Sequence, residues 1–170
     1  MSEARRSPEA GSWCQSLADE AETQELGRAF ARHARPPLAV WLRGDLGTGK
    51  TTFARAYIQA LGFQGYVKSP SYGLLETYPL AAQTVLHLDL YRIEDPEELE
   101  YLALRDLYDT RSVLLVEWPE RGAGNLPQAD LVLEFEQTGE ARFVNCRPLS
   151  EAGQVLAKTV IGEIRKALSS

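Results

Sequence analysis

Residues 44–51, Gly-Asp-Leu-Gly-Thr-Gly-Lys-Thr, limit what this chain can become more than any other stretch. Gly44, Gly49, Lys50 and Thr51 fit the pattern G-x-x-x-x-G-K-[ST] without deviation. The flanks supply the context that this pattern requires. Two prolines and a short apolar run predict a buried strand from about Leu38 to Leu42. After the glycines, Phe53, Ala56, Tyr57, Ala60 and Leu61 recur at helical spacing, with Gly62 as the stop. Strand, glycine-rich turn and helix together form a cradle in which backbone N–H groups converge on phosphate oxygens and the helix N-terminus adds partial positive charge. Lys50 is then placed to reach terminal phosphates and the Thr51 hydroxyl to ligate Mg²⁺. A chance match in a chain of this length arises roughly once in two hundred, so a glycine turn that merely caps a helix is the weaker reading.

The remaining pattern alternates helix and strand. Leu26, Ala29, Phe30 and His33 predict an amphipathic helix starting near Asp19, whose cap is supported by Glu22. Loop residues 69–71 lead into a predicted strand around Gly73 to Tyr78, followed by the apolar, β-branched "QTVLHLDLYR". "EDPEELEYL" begins a helix, with Asp95 at the cap, Pro96 in the first turn and Glu98 three residues after the cap. Val113 to Val116 read as a continuous buried strand, and "ADLVLEFEQ" and "EARFVNC" flank "TGE" as a hairpin. A closing helix from about Ser150 to Leu168 places Val155, Leu156, Thr159, Val160, Ile164 and Leu168 on one side. The fold class is therefore α/β: one P-loop NTPase-like domain over residues 12–170, with a mixed central sheet flanked by helices, a late β-hairpin and a C-terminal helix. Residues 1–11 read as a disordered tail.

Composition narrows the partners. The 170 residues carry 18 basic and 24 acidic side chains, a net charge of −6, which argues against direct neutralisation of nucleic-acid phosphates. Cys14 and Cys146 have no Cys-x-x-Cys spacing and imply neither a disulfide framework nor structural zinc. With no signal-peptide pattern and no apolar run of membrane-spanning length, the expected location is the cytoplasm, away from membranes.

A phosphate cradle becomes a hydrolytic site when a carboxylate holds Mg²⁺ and another group orients water. Asp89 closes "TVLHLD" and Glu117 closes "SVLLVE"; both follow apolar runs and are expected at the C-terminal sheet edge beside the phosphate loop. The alternative for each is a solvated residue at a strand end. No Asn-Lys-x-Asp element or Asp-x-x-Gly switch is present, which favours adenine over guanine. Arg92, Arg105 and Arg111 lie in a segment that resembles packed helix more than the mobile lid of a small-molecule kinase. His87 reads as a structural core histidine, and Trp118 and Tyr91 as core or partner-facing aromatics. These residues leave an ATP-binding domain whose second substrate or partner is open.

Four motifs taken together, "GDLGTGKTT", "VKSPSY", "HLDLYRIEDPEELE" and "VEW", resemble the TsaE (YjeE) family in order and spacing, over about Leu17 to Arg147. That resemblance implies an ATPase of tRNA threonylcarbamoyladenosine synthesis that binds ATP with Mg²⁺ and hydrolyses it slowly. It also implies association with TsaD and TsaB subunits, which transfer the threonylcarbamoyl group, so that tRNA is met only through the complex. By the same likeness Gly47, Thr48, Gly49, Lys50, Thr51 and Thr52 wrap the phosphates, with Lys50 on the terminal phosphates and Thr51 and Glu117 on Mg²⁺. Asp89 organises water or the outer shell of the metal. Ser69 and Ser71 occupy a switch-like loop in which the commoner family form has Thr at position 71. Glu20 falls in the segment covering the base, and Arg142 aligns with an arginine near the nucleotide. Two rival functions remain: a nucleotide-gated binding module whose hydrolysis is incidental, and a small-molecule kinase.

Overall fold

A computed structural model describes residues 10–70, 73–122 and 124–168. Apart from Ala10 and Gly11, the expected N-terminal tail lies outside the described residues, as does Ser71 of the switch-like loop. The strands are β1 (Trp13–Leu17), β2 (Leu38–Arg43), β3 (Leu75–Pro79), β4 (Thr84–Asp89), β5 (Ser112–Glu117), β6 (Leu131–Thr138) and β7 (Ala141–Pro148). The α-helices are α1 (Glu20–His33), α2 (Lys50–Ala60), the single turn α3 (Leu104–Leu107) and α4 (Glu151–Leu168). All seven strands form one sheet in the order β1-β7-β6-β2-β5-β4-β3. The four central strands β6, β2, β5 and β4 run parallel, whereas β1, β7 and β3 pair antiparallel at the flanks.

Alternation along the central strands sorts the core into two layers. Leu38, Val40 and Leu42 of β2, Val113 and Leu115 of β5, and Leu131, Leu133 and Phe135 of β6 bury one face under α1, α2 and α4. Ala39, Leu86, Leu88, Leu114 and Val116 bury the opposite face against Leu90, Ile93, Leu99 and Leu104. The two coverings differ. Three long helices lie on the first face, while the second is closed by the 3₁₀ segment Pro96–Leu102, α3 and neighbouring loops. The cap read at Asp95 is present as a full capping box, but the turn it opens is 3₁₀ and stops where Ala103 turns left-handed at φ 50°.

At the N-terminus of α1, Asp19 accepts from the Glu22 amide at 2.9 Å and Glu22 accepts from the Ala18 amide at 2.6 Å. Helix α1 can lie close to α2 because Gly27 has no side chain: a Cβ there would stand 2.6 Å from the Phe53 carbonyl oxygen.

Two sequence expectations need correction. Strand β1 lies in a stretch read as the approach to a helix; its ladder comes from β7, more than a hundred residues downstream, so no local signal announces it. On α4, Val155 is 63 % exposed and Thr159 is exposed, while Leu156, Ala157, Val160 and Ile161 are buried. The helix is turned because its first turn is docked on β6's approach. Ser150 donates to Asp130 Oδ1 at 2.8 Å, and Gly153 lies so close to the Asp130 carbonyl that a Cβ would collide with it. The two cysteines lie on adjacent strands but stay free: Cys14 pairs with Asn145 and is exposed, whereas Cys146 pairs with Trp13 and is buried on the other side.

Candidate functional site

The turn between β2 and α2 wraps as its glycines allow. Gly44, Gly47 and Gly49 have φ of 142°, 77° and 114°, values that side-chain-bearing residues rarely adopt. Gly49 is the N-cap of α2 and offers no side-chain cap, and no acidic residue sits in the first turn. This contrasts with α1, whose N-terminus has the Asp19 cap and Glu20 and Glu22 in its first turn. The amides and positive dipole end of α2 therefore meet an adjoining cavity with no acidic side chain of the helix itself to cap them. That cavity is about 480 Å³, and Gly47, Thr48, Gly49, Lys50, Thr51 and Thr52 all line it.

Lys50 is buried, its ammonium donating to the carbonyl oxygens of Gly44 and of Asp45, the latter at 3.0 Å. Burial holds its pKa below the ordinary lysine value, against the opposing pull of Glu117 and Asp89. Its Nζ lies 4.2 Å from the ring centroid of Trp118, a cation–π contact.

The carboxylates come from strand alternation. Val85, His87 and Asp89 share one face of β4, and Val113, Leu115 and Glu117 share the same face of β5, so each apolar row ends in a polar group beside α2. Asp89 and Glu117 are register partners, both buried. Glu117 Oε1 accepts from the Thr51 hydroxyl at 2.8 Å, and Oε2 meets His87 Nε2 at 2.7 Å. Burial pushes the Glu117 carboxyl up, but the bond and charge of His87, the Thr51 hydroxyl and Lys50 outweigh it, and the carboxyl is held below its ordinary value. Asp89 goes the other way: burial and the like charge of Glu117 raise it, and the Tyr91 amide bonded to its Oδ1 at 3.0 Å, with the fields of His87 and Lys50, offsets only part.

The Thr51 hydroxyl and an ionised Glu117 are hard oxygen donors. They suit Mg²⁺, which takes one or two protein oxygens beside phosphate and water. Among the described residues no cluster of three or more His, Cys, Asp or Glu offers an all-protein cage.

Glu20, from the start of α1, and Arg142, from β7, line the same cavity, as does Ser69. Tyr91 and Trp118 line it too, their ring centroids 5.1 Å apart, and Trp118 also packs against the second core layer. Trp118 holds φ at 58°, a strained value for a bulky residue and a mark of a functional position. His87, read from sequence as a core histidine, is fully buried but bonded to Glu117. The available signal was its spacing of two from Asp89, which puts both on one strand face. Leu46, within the glycine loop, lines the cavity as well, and so does Arg92, which sits in the turn after β4 rather than in the packed helix expected from sequence.

This arrangement can be set beside known proteins. The family profile described as "Threonylcarbamoyl adenosine biosynthesis protein TsaE" matches residues 17–144. A relative named tRNA threonylcarbamoyladenosine biosynthesis protein TsaE, from Haemophilus influenzae, is 40 % identical over 154 residues, covering 88 % of this chain and 92 % of its own. The protein of the same name from Bacillus subtilis is 34 % identical over 119 residues, covering 70 % and 74 %. A crystal structure of Bacillus subtilis YdiB superimposes with a TM-score of 0.77 at 24 % identity, covering 89 % of this chain and 95 % of that one, which supports the shared fold. The profile spans the segment that carries the glycine loop, both strand-end carboxylates and Arg142, and with these relatives it shows that the chain belongs to the TsaE family.

Proposed function

We propose that this chain binds Mg²⁺·ATP at the glycine loop, hydrolyses it slowly, and thereby supports a TsaD and TsaB type complex that forms threonylcarbamoyladenosine in tRNA. The observation that carries the reading is the meeting of Thr51 and Glu117 at 2.8 Å beside the uncapped N-terminus of α2. An anion and a hard cation each find their complement there. The amides of residues 47–52 would hold the phosphates, and Lys50 would exchange its loop carbonyls for the terminal phosphate oxygens. Thr51 and Glu117 would hold Mg²⁺, which when bound neutralises charge on the phosphates. Asp89, buried one strand from Glu117, is placed to orient water, and Arg142 and Glu20 would border the nucleotide.

The role in tRNA modification rests on family membership, and the acidic net charge of −6 suits a subunit that meets tRNA through partners. Co-purification with TsaD and TsaB proteins, with and without ATP and Mg²⁺, tests it: nucleotide-dependent association is expected, and its absence leaves only the nucleotide site standing.

A gate in which occupancy alone matters is favoured by one observation, the tie between Asp89 and the Tyr91 amide, which occupies one of that carboxylate's oxygens. A non-hydrolysable ATP analogue separates the readings. Repeated turnover of the modification with the analogue supports the gate, and arrest after one turnover supports the ATPase.

A further inference from the structure

His87 is fully buried, and its Nδ1 has no hydrogen-bond partner among the described residues. An orphaned buried ring nitrogen is costly, and an apolar side chain would fill this space without that cost. The other ring nitrogen gives the residue its purpose. Glu117 already accepts from the Thr51 hydroxyl through Oε1, and a carboxylate only accepts, so the 2.7 Å contact assigns a proton to His87 Nε2.

That bond has a directional consequence. A carboxylate on a flexible side chain has two equivalent oxygens and a broad terminal torsion. With Oε2 tied to His87, the carboxylate plane is fixed and Oε1 is the oxygen turned to the Thr51 hydroxyl at 2.8 Å. Lys50 carries the opposite charge nearby, yet its Nζ donates to the carbonyls of Gly44 and Asp45 while Glu117 stays with His87. The histidine thus keeps the acid and the lysine on separate tasks.

We propose that His87 is a positioning residue: through its Nε2–H it orients Glu117 so that Oε1 and Thr51 Oγ1 present a preformed pair of oxygens to the nucleotide's Mg²⁺. This rests on the Mg²⁺·ATP reading above. Partners of this kind, which hold a ligating side chain in place, typically govern metal affinity by about 10- to 100-fold.

The test is a Mg²⁺ titration of ATP binding by calorimetry, with parallel titrations in EDTA, on wild type, His87→Leu, His87→Gln and Glu117→Gln. His87→Leu is expected to raise the half-saturating Mg²⁺ concentration by about 10-fold or more, while ATP affinity in EDTA moves far less. His87→Gln, whose amide can donate from the position of Nε2, is expected to restore most of the Mg²⁺ response. Added to Glu117→Gln, His87→Leu is expected to have no further effect.

A folded His87→Leu protein with the wild-type Mg²⁺ requirement overturns the proposal, as does an equal loss in EDTA and in Mg²⁺. Wild-type binding that ignores Mg²⁺ overturns the Mg²⁺·ATP reading itself, and the role of His87 with it. A measurement on the wild type alone covers the case in which His87→Leu does not fold. Nitrogen-15 NMR of the imidazole should show Nε2 protonated, with a resonance that moves on adding Mg²⁺ to the ATP complex; a ring protonated at Nδ1 alone contradicts the proposal.

Discussion

Asp89 and Glu117 end adjacent parallel strands as register partners, and the protein drives their carboxyl groups in opposite directions, Asp89 upward and Glu117 downward. The cause is the company each keeps. Glu117 accepts side-chain hydrogen bonds from both His87 and Thr51, whereas Asp89 accepts one backbone amide and faces the like charge of Glu117. Two acids one strand apart thereby become unequal, the condition under which one holds a cation and the other handles a proton or water.

This asymmetry predicts a pH signature. The folded-state pKa of Asp89 lies above its unfolded value, so its ionisation costs stability, fully so above the folded pKa and not at all below the unfolded one. Asp89→Asn keeps an acceptor for the Tyr91 amide and removes the buried charge. It should melt higher than wild type at neutral pH, by roughly 2–4 °C per kcal/mol recovered, with the gain shrinking as pH falls through the raised folded pKa and gone below the ordinary aspartate value of about 4. Thermal denaturation without nucleotide between pH 3 and 8 checks this, and a variant that melts lower at pH 7 contradicts it.

Thr51 is expected to matter through its hydroxyl alone. Thr51→Ala should weaken the Mg²⁺-dependent part of ATP binding by about tenfold or more, whereas Thr51→Ser should stay close to wild type. Equal behaviour of the two variants in a Mg²⁺ titration would remove Thr51 from the metal site.

Trp118 offers a spectroscopic handle. Of the three tryptophans, it is the one that lines the cavity; Trp13 donates to the Ala157 carbonyl under α4, and Trp41 packs on the opposite sheet face. If Lys50 leaves the Trp118 ring for phosphate, Mg²⁺·ATP should change the emission of the wild type, and Trp118→Phe should abolish the change. A full response in Trp118→Phe would place the movement elsewhere.

Gly27 tests packing rather than chemistry. A methyl group there meets the Phe53 carbonyl at 2.6 Å, so Gly27→Ala must push α1 off α2. Overpacking of this kind costs about 1–3 kcal/mol, readable as a lowered urea midpoint. An unchanged midpoint would show that the two helices separate freely.

Much of the nucleotide cradle was legible because its signals are local. Gly49, Lys50 and Thr51 sit on consecutive positions, and apolar runs ending in Asp89 and Glu117 mark strand ends without reference to the rest of the chain. Pairing across long separations left less trace. Strand β1 exists because β7 supplies its ladder, and on α4 the apolar stripe Leu156, Ala157, Val160 and Ile161 is buried with Gly153 packed against Asp130 at its start, which leaves Val155 outside. The site followed the same division. His87 on a strand looks like core until the register places it diagonally from Glu117, and Trp118 looks like core until its left-handed backbone turns it over Lys50.

The central claim is that the glycine loop, Lys50 and the Thr51–Glu117 pair form one Mg²⁺·ATP site. Calorimetric titration of ATP into the wild-type chain and into Lys50→Ala, each with Mg²⁺ and with EDTA, tests it most directly. One-to-one binding that Mg²⁺ tightens in the wild type and that Lys50→Ala loses is the predicted result. No ATP binding by the wild type, or equal binding by Lys50→Ala, would contradict it.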